Sequence, residues 1–277
     1  MNKVSAVLCV YNELSNLNLI KRNIALNYFD ELIIIDGGST DGTYEALSSV
    51  SDIHVYKLPN AGLLKQRLYG ISRANNEIVF LFNADDDLSA LNVPELIVDL
   101  KIRKCQGLQV RIRAEGSATF WQRSWTSYFN NIYPTNRALK VLGRPCITFT
   151  RLFEGIVVED NIFNEDTYLK YYQESAFGPM LYFASNQFVE RVVPNSFKLN
   201  IIQFKRYGVS DSMVARNSFS IFFSLLYHSF IRIMIVRSAL HFLKDFRGLS
   251  FLFVFSMGFM RGFSLLFSTI KLRLRWK

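Results

Sequence analysis

The chain has 277 residues, enough for one large domain or two smaller ones. Half of the residues are apolar, 25 of them Phe, so a sizeable core is available, and a net charge of +9 admits an anionic partner such as nucleic acid, lipid or a phosphorylated small molecule. Three widely spaced cysteines, Cys9, Cys105 and Cys146, form no Cys-x-x-Cys pair, which fits a reducing compartment and argues against structural zinc.

In chain order, the opening MNKVSAVLCVYNE lacks the apolar length and cleavage site of a secretory leader. Residues 4–10 predict a strand that ends at Tyr11-Asn12-Glu13, and a helix is expected from about Ser15. A second buried strand, 31–35, runs into Asp36-Gly37-Gly38-Ser39-Thr40-Asp41-Gly42-Thr43. That composition predicts a tight turn between strand and helix, with Thr40 or Asp41 as N-cap. A short strand at 54–58 and a helix over 62–74, carrying Lys65, Arg67 and Arg73, lead to the apolar run 78–83. Strand and helix alternating in this way predict a doubly wound α/β half-domain.

The run 78–83 stops at three adjacent carboxylates, Asp85, Asp86 and Asp87. Ligands of such sheets bind beyond the carboxyl ends of the strands, where these acids would emerge. Their mutual repulsion calls for an offsetting charge, and a hard divalent cation that also holds a diphosphate supplies one. The alternative is a solvated acidic turn capping a helix from Asp87 or Ser89. The glycines do not spell Gly-x-Gly-x-x-Gly after the first strand, so a dinucleotide oxidoreductase fits poorly.

The segments CVYNE, ELIIIDGGSTDGT and GLLKQRLYGISRANNEIVFLFNADDDL, in that order and spacing, resemble the nucleotide-binding half of family 2 glycosyltransferases of the GT-A fold. The resemblance covers about the first ninety residues and implies a Rossmann-like, mostly parallel sheet flanked by helices. It implies that Cys9, Tyr11, Glu13 and Asp36 line the nucleobase and ribose pocket and that Arg67 sits near the phosphates. It also implies that Asp85, aided by Asp87, holds Mn²⁺ or Mg²⁺ on the donor diphosphate. Asn83 stands where the family pattern has a carboxylate; an amide keeps the hydrogen bond but not the charge, which puts metal affinity in question.

Further on, 108–113 predicts a strand, and Trp121, Trp125 and Phe129 recur at helical spacing, as either a core stripe or a sugar-stacking face. Two acidic pairs follow, Glu159-Asp160 and Glu165-Asp166. Inverting transfer needs a carboxylate that takes the acceptor's proton. By resemblance Asp166, with Glu165 beside it at the start of a helix, is the base, and Asp160 is the other candidate. Gln203-Phe204-Lys205-Arg206-Tyr207 resembles the Gln-x-x-Arg-Trp element of processive β-glycan synthases, with Tyr207 for Trp; it implies that Arg206 meets the leaving diphosphate and that Gln203 and Tyr207 border the acceptor. The alternative is a basic surface turn.

The last seventy residues are apolar at 218–236 and 249–270, each run broken by polar residues, among them Ser220, Ser224, His228 and Arg232 at every fourth position. A central Arg disfavours a span, so helices lying in the membrane interface are expected, with Lys244, Arg247, Lys271, Arg273, Arg275 and Lys277 toward anionic headgroups. A soluble helical subdomain is the alternative. The expected organisation is a donor half over 1–98, an acceptor half over 99–215 and membrane-associating helices over 216–277. The expected activity is inverting transfer from a nucleotide-sugar, with uridine diphosphate the expected carrier, to a lipid-linked or saccharide acceptor in surface-polysaccharide synthesis. The enzyme would be peripheral or monotopic on the cytoplasmic face of the plasma membrane, without a nucleic-acid partner. A polyprenyl-phosphate glycosyltransferase and a non-catalytic nucleotide-sugar-binding scaffold are the alternatives.

Overall fold

The computed structural model describes residues 3–51, 53–114, 119–132, 138–139, 141–158, 165–177, 180–216, 218–244 and 250–274. They divide into two units: residues 1–113, 132–161 and 168–192 in the first, and 114–131, 162–167 and 193–277 in the second.

In the first unit, β1 (Val4–Val10) is buried along all seven residues, as an unbroken apolar run demands when helices cover both faces of a sheet. A single 3₁₀ turn at Leu14–Asn16 precedes α1 (Leu17–Ala25), so the helix starts slightly later than the sequence suggests. Next come β2 (Glu31–Asp36), α2 (Thr43–Ser48), β3 (His54–Lys57), α3 (Leu63–Ser72) and β4 (Ile78–Asn83). Neither Thr40 nor Asp41 is the N-cap of α2. That position falls to Gly42 at φ 94°, a left-handed conformation suited to glycine, while Asp41 Oδ1 accepts from the Thr43 amide at 3.0 Å.

The acidic triplet does not cap a helix either. Asp86–Asp87 is a two-residue strand, β5, and α4 (Val93–Ile102) begins later, where Asn92 Oδ1 accepts from the Glu95 amide. Three further strands complete the sheet: β6 (Gly107–Ala114), β7 (Cys146–Phe149) and β8 (Tyr182–Arg191). The strand order is β3-β2-β1-β4-β7-β6-β8-β5. The first four strands pair in parallel, whereas β4–β7, β6–β7 and β5–β8 are antiparallel, so the sheet is mixed and its parallel part is the half that the sequence reads. β6 and β7 pair antiparallel although α5 lies between them in sequence.

The second unit contains α5 (Phe120–Ile132), α7 (Phe197–Val214) and the C-terminal helices. The helix between them in sequence, α6 (Glu165–Phe177), starts in this unit and ends in the first. Trp125 and Tyr128 of α5 are buried, and Trp121 packs on Phe197 at 5.3 Å between ring centroids, so this aromatic stripe is a packing surface. Phe129 lies outside the described side chains. Ser218 caps α8 (Phe219–Tyr227), which continues without a break as a π-helical stretch, His228–Arg237, and then as α9 (Ser238–Lys244). The wider π turn displaces the fourfold spacing of Ser220, Ser224, His228 and Arg232 from a straight stripe.

Helix α10 (Ser250–Leu274) packs along α7 and the π stretch at glycines, where a side chain would collide. A Cβ on Gly208 would lie 2.7 Å from the Ser264 Cβ, and one on Gly262 would lie 2.8 Å from the Phe230 ring. Arg261, the residue whose charge disfavours a span, turns inward: its Nε and Nη2 donate to Asp211 Oδ2 and Oδ1 of α7 at 2.6 and 3.1 Å. Removing one partner of such a buried pair strands the other charge, which typically costs about 3–5 kcal/mol, whereas an apolar pair of similar volume is tolerated. Arg261→Ala is therefore expected to lower the chemical-denaturation stability by about that amount, and the double change Asp211→Leu/Arg261→Met by clearly less. Equal losses in the two proteins would show that the pair is not the constraint.

Candidate active site

The carboxyl ends of β1, β2 and β4 point the same way, because these strands are parallel neighbours, and the loops after them converge. Two of those loops are stitched together. Asn12, at φ 56°, donates its amide to Ser39 Oγ at 2.9 Å and accepts from the Thr40 amide at 2.9 Å. The Glu13 amide donates to Thr43 Oγ1 and the Leu14 amide to Asp41 Oδ2, at 2.9 and 3.0 Å. The turn rich in Gly, Ser and Thr thus serves to bind the first loop.

Within this frame Tyr11 is 59 % exposed. Asp36 is fully buried at the end of β2. Its Oδ1 accepts from the Gly38 and Ser39 amides, both at 2.8 Å, while Oδ2 has no hydrogen-bond partner. A buried carboxylate oxygen left open is costly, and a ligand N–H is the kind of group that would fill it. Gly38, at φ 96°, makes the double donation to Oδ1 possible. Cys9 is buried, in register with Asn83 across β1–β4. Glu13 accepts from Asn16 Nδ2 at 2.7 Å; burial raises its pKa, the Asn16 bond lowers it, and Asp41 adds to the rise.

At the end of β4 the three carboxylates part company. Asp86 is fully buried: Arg191 of β8 grips it with Nε at 2.6 Å and Nη2 at 3.0 Å, and its Oδ2 also accepts from the Asn83 amide at 2.8 Å. Asn23 of α1 clamps the same turn, donating to the Asp86 carbonyl and accepting from the Leu88 amide. Asp87 turns to Arg22, at 2.5 Å, and to Ser89. Asp85 is the open member, its side chain 37 % exposed, with Arg191 Nε 3.6 Å away. Desolvation pushes the Asp85 carboxyl up to about 6; Arg191 pulls it back, and Asp86 and Glu13 add to the rise.

Among the described residues no group of three or more His, Cys, Asp or Glu side chains is arranged to hold a metal. With Asp86 and Asp87 engaged elsewhere, the available donor is the single Asp85 carboxylate. That fits an ion which keeps waters and takes its remaining oxygens from a bound diphosphate, the usual habit of Mg²⁺. It does not fit the pair Asp85 and Asp87, since both Asp87 oxygens have partners. Asn83 Oδ1 accepts from Arg67 Nη2 at 3.1 Å, and Arg67 is only 1 % exposed, so it acts on Asn83 from beneath the surface.

Thus Cys9, Tyr11, Glu13, Asp36, Arg67, Asn83 and Asp85 belong to one end of the first unit's sheet. Glu165, Asp166, Gln203, Arg206 and Tyr207 belong to the second unit. Glu165 and Asp166 form the first turn of α6, with Glu165 buried and Asp166 partly exposed. Glu159 and Asp160 lie outside the described residues. Gln203, Arg206 and Tyr207 sit in the middle of α7, a regular helix and not a basic surface turn; Arg206 is exposed, and the Arg261 guanidinium lies 5.8 Å from the Tyr207 ring centroid. Arg191 and Asn23 carry no sequence signal. Each lies far along the chain from the residue it holds.

The family model described as Glycosyl transferase family 2 matches residues 5–160, more than half of the chain. The chain belongs to glycosyl transferase family 2. Its fold is GT-A, shared with S. aureus TarS 1–349 in complex with UDP (TM-score 0.55, 13 % identity, 98 % of this chain and 91 % of that one). Glucosyl-3-phosphoglycerate synthase from Mycobacterium tuberculosis, in complex with Mn²⁺, UDP and phosphoglyceric acid, is also similar (TM-score 0.51, 16 % identity, 75 % of this chain and 76 % of that one). A curated relative, cholesterol galactosyltransferase of Borreliella burgdorferi, is 32 % identical over 94 residues, 32 % of this chain. The match spans only 26 % of that relative's length.

The geometry separates the two arginines that touch the triplet. Arg191→Ala strands the buried Asp86 carboxylate and is expected to cost about 3–5 kcal/mol in denaturant unfolding. Arg22→Ala removes an exposed pair, expected to be worth less than about 1 kcal/mol. A large loss with Arg22→Ala and none with Arg191→Ala would contradict this division.

Proposed function

We propose that the chain transfers one sugar, with inversion, from a nucleotide-activated donor to a lipid-linked or oligosaccharide acceptor during surface-polysaccharide assembly. The observation that carries the donor half is the buried Asp36 carboxylate. Its open Oδ2, on a residue in register with Val10 next to the exposed Tyr11, suits the imide N–H of a uracil ring stacked on the tyrosine. The solved relatives that hold UDP support the same donor class.

The rest of the reading follows from charge. Asp85 would hold Mn²⁺ or Mg²⁺, which when bound would supply positive charge to the donor diphosphate. Arg67 fixes the Asn83 amide beside the ribose, and Arg206 receives the departing diphosphate bidentately. Glu165 and Asp166 open α6, where backbone amides favour a carboxylate. Asp166 takes the proton from the acceptor hydroxyl as that oxygen attacks the anomeric carbon, on the face opposite the diphosphate. Gln203 and Tyr207 border the acceptor. The name of the Borreliella relative, which couples a sugar to a sterol, supports a lipid-bearing acceptor.

The setting proposed is the cytoplasmic face of the plasma membrane. Residues 219–243 and 250–271 are each long and apolar enough, by length and composition, to enter a bilayer.

Thermal shift against a panel of nucleotide-sugars tests the donor class, and stabilisation by UDP-sugars alone is expected. Asp85→Ala is expected to abolish Mn²⁺-dependent UDP binding with the fold intact, and Asn83→Asp to preserve or tighten it. UDP affinity that chelation leaves untouched would remove the metal from the scheme. Asp166→Asn is expected to lower turnover about 10² to 10⁴-fold with little change in donor affinity. Loss of donor binding in that variant would move Asp166 to the nucleotide site.

A further inference from the structure

Helix α10 presents two different sides. Its inner side meets α7 and the π stretch, where Arg261 is paired with Asp211 and Thr269 bonds the Leu265 carbonyl. Its outer side is apolar apart from the half-buried Ser256, whose hydroxyl donates to the Phe253 carbonyl of the same helix. Every exposed residue between positions 251 and 270 is Leu, Phe or Ile: Leu252, Phe255, Phe259, Phe263, Leu266, Phe267 and Ile270. Phe263 and Phe267 are 53 % and 61 % exposed, and the rings of Phe259, Phe263 and Phe267 stack in a ladder at 6.2 and 6.3 Å. A bare aromatic stripe of this length exceeds what a monomer leaves to water without a use for it.

We infer that this stripe of α10 lies flat in the acyl boundary of a lipid bilayer, with the helix axis parallel to the membrane plane. The inference rests on the membrane location proposed above and specifies the surface that makes it. Charge at both ends of the stripe favours lipid as the occupant. In sequence Lys244 and Arg247 precede α10, Lys271 and Arg273 fall in its last turn and Arg275 and Lys277 follow it, a charge pattern suited to anionic headgroups on either side of a submerged apolar segment. Charge on the neighbouring helices decides the orientation. Lys198, Lys205 and Arg206 of α7 are exposed, as is Arg232 of the π stretch. A transverse α10 would carry α7, which packs along it, into the hydrocarbon together with those charges; a flat α10 leaves them in water. Arg261, two residues from both Phe259 and Phe263, lies on the opposite face of the helix and pairs with Asp211, so no charge interrupts the submerged side.

The test is flotation of the full-length protein with phosphatidylcholine vesicles, with and without phosphatidylglycerol. It is repeated in about 1 M NaCl, where the screening length falls to about 3 Å. The wild type is expected to float with phosphatidylcholine alone and to remain bound in high salt. The triple variant Phe259→Ser/Phe263→Ser/Phe267→Ser is expected to lose flotation on neutral vesicles, and Lys271→Gln/Arg273→Gln to lose only the preference for anionic ones. Phe263→Trp is expected to add fluorescence that acyl-brominated lipid quenches, a readout that does not depend on the triple variant folding. Release of the wild type by salt, undiminished flotation of the triple variant, or an unquenched signal from the introduced tryptophan would overturn the inference. So would a dimer in vesicle-free solution that the triple variant dissolves while the wild type fails to float. UDP binding by calorimetry, run in parallel, separates the two readings: it is expected to be unchanged in the triple variant, and its absence in a floating wild type would count against the transferase reading alone.

Discussion

The buried pair of Asp86 and Arg191 holds together parts of the chain that lie 105 residues apart. Asp86 lies three residues beyond β4, the last parallel strand, and Arg191 ends β8, with which β5 pairs antiparallel. By binding both carboxylate oxygens, and through the Val192 amide on the Asp85 carbonyl at 3.2 Å, the end of β8 fixes the turn after β4. Without it, three neighbouring carboxylates would spread toward solvent. With it, the middle one becomes structural, the third is drawn to Arg22, and Asp85 alone faces the open end of the sheet. One structural charge pair therefore leaves a single carboxylate available for chemistry.

A second charge pair organises the helical unit by the same logic. Asp211 and Arg261 neutralise one another where glycines bring α7 and α10 together, so both helices can keep an apolar contact around them. Ion pairs in such places are poor sources of net stability but strict specifiers of register. Here the register decides which side of α10 is open.

The parallel strands β1 to β4 are legible in the sequence because their signals are local. Strands buried on both faces appear as unbroken apolar runs, and 4–10 and 78–83 match the observed strands to the residue. The Asp36 to Thr43 turn is dense in residues with one conformational use each. What is not legible depends on contacts across the chain. Arg191 ends a strand, YFASNQFVER, without apolar alternation, and Asn23 sits in an ordinary amphipathic helix; only the fold brings them to the acidic turn. The triplet reads equally as a helix cap or a ligand set, because three identical side chains in a row do not reveal which partner each will find. Likewise, Arg261 argues against membrane burial only as long as its direction is unknown. The π turn beginning at His228 has no composition of its own, since it reflects packing against α10.

The four hydrogen bonds that stitch residues 12–14 to 39–43 form when the protein folds and leave the donor pocket little freedom to adapt. A rigid pocket selects by refusal. On the proposed reading, a uracil ring brings a proton to the open oxygen of Asp36, whereas cytosine brings a lone pair from the same ring position. The buried carboxylate would then face a second acceptor, with no loop able to move aside and no water admitted between them. Discrimination between two pyrimidines of nearly equal size would come from that one oxygen and from the stiffness of the loops around it.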